Sequence, residues 1–248
     1  MTTAFACVNN NSSIRSRSSS GGIFYLLASD FLSRGGVVFG ARFDGDFNVI
    51  HDYTESMDEL PSFLTSKYVQ SKTGRVFLDV KHFLDLNRLV LFSGTPCQVS
   101  GLLAFLGDRY HANSNLLLID FVCHGVPSPL IWRKYLEQVS GQKQVTGVNF
   151  RDKSKGWKNF SLSIDFNDGT HHFMDLKNDL YLKGFLKDLY LRPACYDCQF
   201  KGVERSSDLT IADFWHIDLV LPEFEDDNQG ISLVLVQSEK GKKAIETI

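Results

Sequence analysis

Residues 89–97 read LVLFSGTPC and residues 116–125 read LLLIDFVCHG. Each is a short apolar run that stops at turn-forming residues, the pattern of a strand covered on both faces. After the first run, Thr95 suits a helix N-cap and Pro96 the first helical position, so Cys97 falls in the first turn of a helix. That helix is expected to run to Leu106 and stop at Gly107. After the second run, Cys123-His124-Gly125 stands at the strand end, and Ser128-Pro129 opens another helix. If the two strands are neighbours, Cys97 and Cys123 share the carboxyl edge of the sheet, where open α/β sheets carry their sites.

Working outward, Ile23, Phe24, Leu27, Ala28 and Phe31 recur at helical spacing, and Gly35-Gly36 ends the pattern. Val37 to Phe43 reads as a strand, Asp44-Gly45 as a hairpin turn, and Val49 to Tyr53 as the returning strand. In the second half, Phe160 to Phe166 and Thr170 to Leu176 alternate about Asn167-Asp168-Gly169, an antiparallel hairpin. Asn178 to Tyr190 reads as an amphipathic helix, Arg192 to Cys198 as a loop, and Leu209 to Trp215 and Ile231 to Val236 as strands. The fold class expected is α+β, a mixed α/β arrangement of strand–turn–helix units on a mixed sheet, plus an antiparallel hairpin. Residues 1–22 read as an irregular polar lead-in and 23–248 as one domain.

The net charge of −3 gives no reason to expect nucleic acid as a partner. No apolar run is long enough for a membrane helix, and the N-terminus lacks a secretory signal, so a cytoplasmic location is expected. Five cysteines in such a chain point to metal or redox chemistry rather than to disulfides.

Cys195 and Cys198 form a Cys-x-x-Cys pair, able to chelate across a tight turn, and Cys97 and Cys123 would complete a four-sulfur set for zinc or an iron–sulfur cluster. The long gaps between them match no compact zinc finger, so such a site would be assembled by the fold. A thioredoxin-type dithiol is disfavoured, because Asp197 between the sulfurs would raise the thiol pKa. Cys123-His124 is a poor nucleophile–base pair, since adjacent strand residues point to opposite faces. Cys97 at a helix N-terminus could be an activated nucleophile instead. Cys7 has no visible partner.

Two turns offer hydroxyls and backbone N–H groups to an anion: Ser19-Ser20-Gly21-Gly22 and Ser93-Gly94-Thr95. A plain helix cap is the bland reading of each, and neither is a Rossmann or P-loop fingerprint. Arg151-Asp152-Lys153 with Gly156-Trp157 reads as a charged, aromatic loop, either a solvated turn or a ligand edge; Lys153 and His124 are candidates for ligand contact.

Taken together, SSSGGIF (18–24), GGVVFGARFD (35–44), SKYVQS (66–71), LFSGTPCQVSGL (91–102), DFVCHGVPSP (120–129), FRDKSKGW (150–157), RPACYDCQFKGVERSSDLTIADFW (192–215) and GISLVLV (230–236) resemble, in order, the coenzyme F420 hydrogenase/dehydrogenase beta-subunit family. That family also includes the plant-type hydroxymethyl chlorophyll reductases. The resemblance implies an oxidoreductase with FAD near the SSSGG and SGTPC turns. It implies a 4Fe-4S cluster on Cys97, Cys123, Cys195 and Cys198. It further implies electron transfer between a small-molecule hydride carrier, such as the deazaflavin F420, and a ferredoxin or ferredoxin-like subunit. Rival readings are a non-enzymatic module with a structural four-cysteine zinc site, or a degenerate relative. Members usually carry more chain on both sides, so the sequence is expected to be incomplete at its C-terminus. Where members usually read Gly-Asp-Phe-Trp-Gly, Ala212 and His216 replace the two glycines.

Overall fold

The computed structural model describes residues 3–111 and 113–248. Along the chain run β1 (Thr3–Cys7), α1 (Ser12–Ser16), α2 (Ile23–Ser33), β2 (Val37–Phe43), β3 (Val49–Thr54), α3 (Val76–Asp85), β4 (Val90–Ser93), α4 (Pro96–Leu106), α5 (Asp108–His111) and β5 (Leu116–Phe121). There follow α6 (Pro129–Ser140), β6 (Val145–Asp152), β7 (Ser161–Phe166), β8 (His171–Asp175), α7 (Leu180–Leu186), α8 (Pro193–Tyr196), β9 (Leu209–Asp213), α9 (Ile217–Val220), β10 (Ser232–Val236) and α10 (Glu239–Thr247).

Seven strands form a mixed sheet in the order β1-β10-β9-β5-β4-β2-β3. Its centre, β2-β4-β5-β9, is parallel, and the strands beyond are added antiparallel. β4 and β5 are neighbours, with Val90 opposite Leu116 and Ser93 opposite Ile119. Their unbroken apolar runs are explained by the two faces. Val90, Phe92, Leu116 and Leu118 pack with α3 and α4, through Val80, Phe83, Val99 and Leu102. Leu91, Leu117 and Ile119 pack on the other side with Ile23, Leu27, Ala28 and Phe31 of α2. Each such side chain, fully buried, contributes about 1.5–3 kcal/mol of transfer free energy.

A second, three-stranded antiparallel sheet, β6-β7-β8, packs with α6 and α7 around Trp132, Phe150, Leu162, Ile164 and Tyr181. It is joined to the large sheet at the β2–β3 hairpin: Val49 shares its core, and the Trp132 indole donates to the Phe47 carbonyl at 2.9 Å. No helix among the described residues is long and apolar enough to cross a membrane.

Three expectations are corrected. Part of the lead-in expected to be irregular is ordered: Thr3–Cys7 pairs as an edge strand with Ser232–Val236, and Asn11 caps α1. An edge strand five residues long, held by backbone pairing and mostly exposed, has no hydrophobic pattern to read. Cys7 lies on that strand, half-buried against the α2 core. The charged stretch at Arg151-Asp152 is the end of strand β6 rather than a loop, because the arginine side chain is buried by pairing with Asp213. The helix expected to reach Tyr190 stops at Leu186, where Asp188 turns into the left-handed region (φ 58°) and the Tyr190 ring folds back over Gly184.

Candidate functional site

Cys97 sits at the second position of α4, as its Thr-Pro preface requires. Gln98 Oε1 accepts from both the Thr95 N–H (2.9 Å) and the Thr95 hydroxyl (3.1 Å). Thr95 Oγ1 also lies 3.1 Å from Cys97 Sγ, and Gln98 Nε2 donates to Ser71 Oγ at 2.8 Å.

Cys123 follows β5, the strand beside β4, so both thiols stand at one sheet edge. The second pair is brought there by a small clasp. Pro127 and Leu191 form an antiparallel bridge, the Arg192 N–H donates to the Val126 carbonyl at 2.9 Å, and the Ser128 N–H donates to the Tyr190 carbonyl at 3.1 Å. The loop carrying Cys123 therefore runs beside the start of the segment carrying Cys195, in α8, and Cys198. The approach is close enough to require glycine at position 125: its φ is 141°, and an added Cβ would stand 2.7 Å from Leu191 Cδ1.

The outcome is that Cys123 has the other three cysteines as electrostatic neighbours. Its thiol is pushed up to about 11, by burial first and, more weakly, by the sulfurs of Cys97, Cys195 and Cys198, against the lowering effect of the Gly125 N–H. All four thiols are partly exposed. Among the described residues, no three His, Cys, Asp or Glu side chains are drawn in tightly enough to hold one metal ion. The cysteines are thus gathered but not collapsed around a single point. Their donor set is soft, suited to an iron–sulfur cluster or zinc.

His124 turns to a different task. Its Nε2 lies 2.7 Å from Asp188 Oδ1 and 3.3 Å from the Phe185 carbonyl, and its ring meets Phe185 edge-on. It ties the Cys123 loop to the end of α7. The Lys153 ammonium donates to the carbonyls of Arg15 (2.6 Å), Gln229 (2.7 Å) and Ser20 (3.3 Å), joining three chain segments. Burial, with Arg151 and Arg15 nearby, lowers it to about 8.

The serine–glycine turn is packed into the sheet end. Ser20 Oγ donates to the Ile231 carbonyl at 2.6 Å, and the Gly21 N–H donates to Ser232 Oγ at 3.0 Å. A Cβ at Gly21 would collide with the Ser232 backbone. What the turn still offers an anion is the start of α2, where Gly22 (φ 86°) provides no side-chain cap, and the Ser19 hydroxyl, 2.9 Å from Ser66 Oγ. On the other turn, Gly94 is anchored by its N–H to the Ile119 carbonyl at 3.1 Å.

Residues 66–71 connect the two turns: Ser66 touches Ser19, and Ser71 is bonded to Gln98. Arg151 holds the same neighbourhood together. Its guanidinium donates to the Ser19 carbonyl, Tyr68 Oη and Asp213 Oδ2, each at 3.0 Å, and lies over the Phe160 ring at 4.2 Å. Trp157, stacked on Trp215 at 4.1 Å, adds a second hydrogen bond to the Ser19 carbonyl. Ser66, Tyr68, Ser71 and Gln98 were not singled out from the sequence, and Arg151 was read only as part of a charged loop. For Gln98 a signal existed, since it stands three residues after a Thr N-cap.

Residues 87–248 match the family model for the C-terminal part of the coenzyme F420 hydrogenase/dehydrogenase beta subunit. Among solved structures, the fold is similar to that of a chain in the F420-reducing NiFe hydrogenase complex from Methanosarcina barkeri. The TM-score is 0.63 at 13% identity, covering 99% of this chain and 78% of that one. No curated protein sequence matches.

Proposed function

The chain belongs to the coenzyme F420 hydrogenase/dehydrogenase beta-subunit family of oxidoreductases, and from that premise we propose that it is an electron-transfer module whose Cys97, Cys123, Cys195 and Cys198 hold a 4Fe-4S cluster beside an FAD. Bound there, the flavin would exchange hydride with a small-molecule carrier such as F420, and the cluster would pass single electrons to a ferredoxin-like partner.

The observation that carries this reading is the convergence of three separate elements, the α4 start, the β5 end and the 195–198 segment, on one patch of four thiols. A zinc ion would draw the sulfurs to about 3.8 Å from one another, as tetrahedral bonds of about 2.3 Å demand. A cubane would leave each thiolate on its own iron and tolerate a wider set. Turned from Gln98 Oε1 toward Cys97 Sγ, the Thr95 hydroxyl would donate to a thiolate there, stabilising the anion and tuning the potential of whatever it ligates. For the flavin, the α2 start, the Ser19–Ser66 contact and the α4 turn offer donors at one end of the sheet. Arg151 fixes the first of these by its backbone bond to Ser19. Ser20, Gly21 and Lys153 would serve by shaping the turn, since their polar groups are already bonded within the protein. His124 would position the Cys123 loop.

The test is the visible spectrum of protein purified without oxygen, with iron and acid-labile sulfide analysis. The expected result is a flavin band over a broad shoulder and about four irons per chain, as a 4Fe-4S cluster requires. Cys123→Ala should lose most of the iron. A colourless protein with one zinc per chain would overturn the reading.

A further inference from the structure

A cleft of about 480 Å³ lies between the tip of the β2–β3 hairpin, residues 69–72 and the first turn of α6. That volume is in the range of small-molecule sites. Its walls include Val49, Val69, Pro129 and Trp132, and its rim carries Asp44, Lys72 and Arg133. None of these residues belongs to the cysteine patch or to the two turns beside it.

The charges on the rim do not cancel. The Asp44 carboxylate is already satisfied locally, accepting from the N–H groups of Asp46 (3.0 Å) and Asn48 (2.9 Å) and from Asn48 Nδ2 (3.1 Å). Lys72 and Arg133, by contrast, have no anionic partner among the described residues. Two unpaired cations over apolar walls make the cleft attractive to an anion. Ser71 also lines it; its oxygen accepts from Gln98 Nε2, so its own proton remains to be donated. Through Gln98 and Thr95, that serine is joined by a continuous run of polar contacts to Cys97 Sγ.

We propose that this cleft binds a small molecule by an oxyanion, a phosphate or a carboxylate, with Lys72 and Arg133 as counter-charges and Ser71 as a donor. That the molecule is the redox substrate of the neighbouring thiol site rests on the function proposed above; its binding does not.

The experiment is isothermal titration of the full chain with inorganic pyrophosphate and with succinate, in low and high salt. At least one probe should bind, more weakly as salt rises. In the Lys72→Gln/Arg133→Gln double variant its affinity should fall by at least about tenfold, the equivalent of about 1.4 kcal/mol. Lys134→Gln, a change on the same helix that lies outside the cleft, should leave it unchanged. A preference for pyrophosphate would assign a phosphorylated ligand, and for succinate a carboxylate. No binding of either probe at about 10 mM, or equal binding by the double variant, would overturn the proposal. Both substituted side chains are exposed, so the fold should survive. Iron content separates the two readings: iron-free protein that still binds in this charge-dependent way defeats the cluster and keeps the cleft. Protein with full iron and no binding does the reverse.

Discussion

His51 is 6% exposed on β3, stacked on Phe92 at 4.9 Å, and neither ring nitrogen has a hydrogen-bond partner. Burial lowers its pKa from 6.5 to about 4, against the weaker pull of Asp52 and of the Ser93 carbonyl, which lies near the ring without meeting hydrogen-bond geometry. Because the folded pKa lies below the unfolded one, the unfolded chain binds the proton first. This residue's contribution to stability is therefore complete above pH 6.5 and is lost as pH falls toward 4. A gap of about 2.5 pH units at about 1.4 kcal/mol each makes the full loss about 3 kcal/mol, of which about 2 is reached by pH 5. His51→Phe keeps the stack on Phe92 and removes the titration. It should also be neutral or mildly stabilising at pH 7.5, since an unpaired buried N–H costs about 1–3 kcal/mol. Urea unfolding of both proteins at pH 7.5 and pH 5 measures this directly: the native chain should lose about 2 kcal/mol more than the variant over that interval. Equal losses would show that His51 is hydrated or paired, and the reasoning from its burial would fail.

Three further outcomes are expected. Asp213→Ala leaves the Arg151 guanidinium, whose side chain is 4% exposed, without its counter-charge, and should cost about 3 kcal/mol in urea unfolding; a loss below about 1 would mean that Tyr68 and the Ser19 carbonyl suffice. His216→Gly should stabilise by about 0.5–1 kcal/mol, because His216 holds φ 58° at the start of α9, a conformation glycine adopts without strain; a lower melting temperature would reveal contacts that outweigh the strain. Gly125→Ala should destabilise by about 2 kcal/mol or more and lower iron content, because φ 141° disfavours any side chain and the added Cβ meets Leu191; a variant with native stability and native iron would disprove that the clasp positions the thiols.

The parts of the fold that were legible are those whose signals are local. The LVLFSGTPC and LLLIDFVCHG runs state strand, turn and helix within a few residues each, and their side-by-side parallel pairing is the usual outcome when a short helical connection joins consecutive strands. The hairpin at Asp44-Gly45 is equally local. What could not be read depends on partners far along the chain. β1 exists because Ser232–Val236 offers it an edge. Arg151 looks like a solvated loop residue until Asp213, Tyr68 and the Ser19 carbonyl surround it. The same holds at the site: spacing pairs Cys195 with Cys198, and the strand ends place Cys97 and Cys123, but the clasp at Gly125 and Leu191, which sets one pair beside the other, has no signature in either stretch. The serine–glycine turn shows the converse, since its composition suggests free donors while its fold commits Ser20 and Gly21 to the strand end.

The replaced glycines illustrate how such a site constrains its surroundings unequally. Ala212 lies within β9, opposite Leu233 of β10, where an extended backbone accepts a methyl group without strain. His216 occupies a left-handed position, where a side chain is tolerated at a cost rather than forbidden. Gly21 and Gly125 differ in kind, because there the obstacle is another segment of chain: the Ser232 backbone for one, Leu191 for the other. The two departures from the family pattern therefore fall where the backbone can absorb them. The positions where another segment of chain leaves no room for a side chain, 21 and 125, are both occupied by glycine in this sequence.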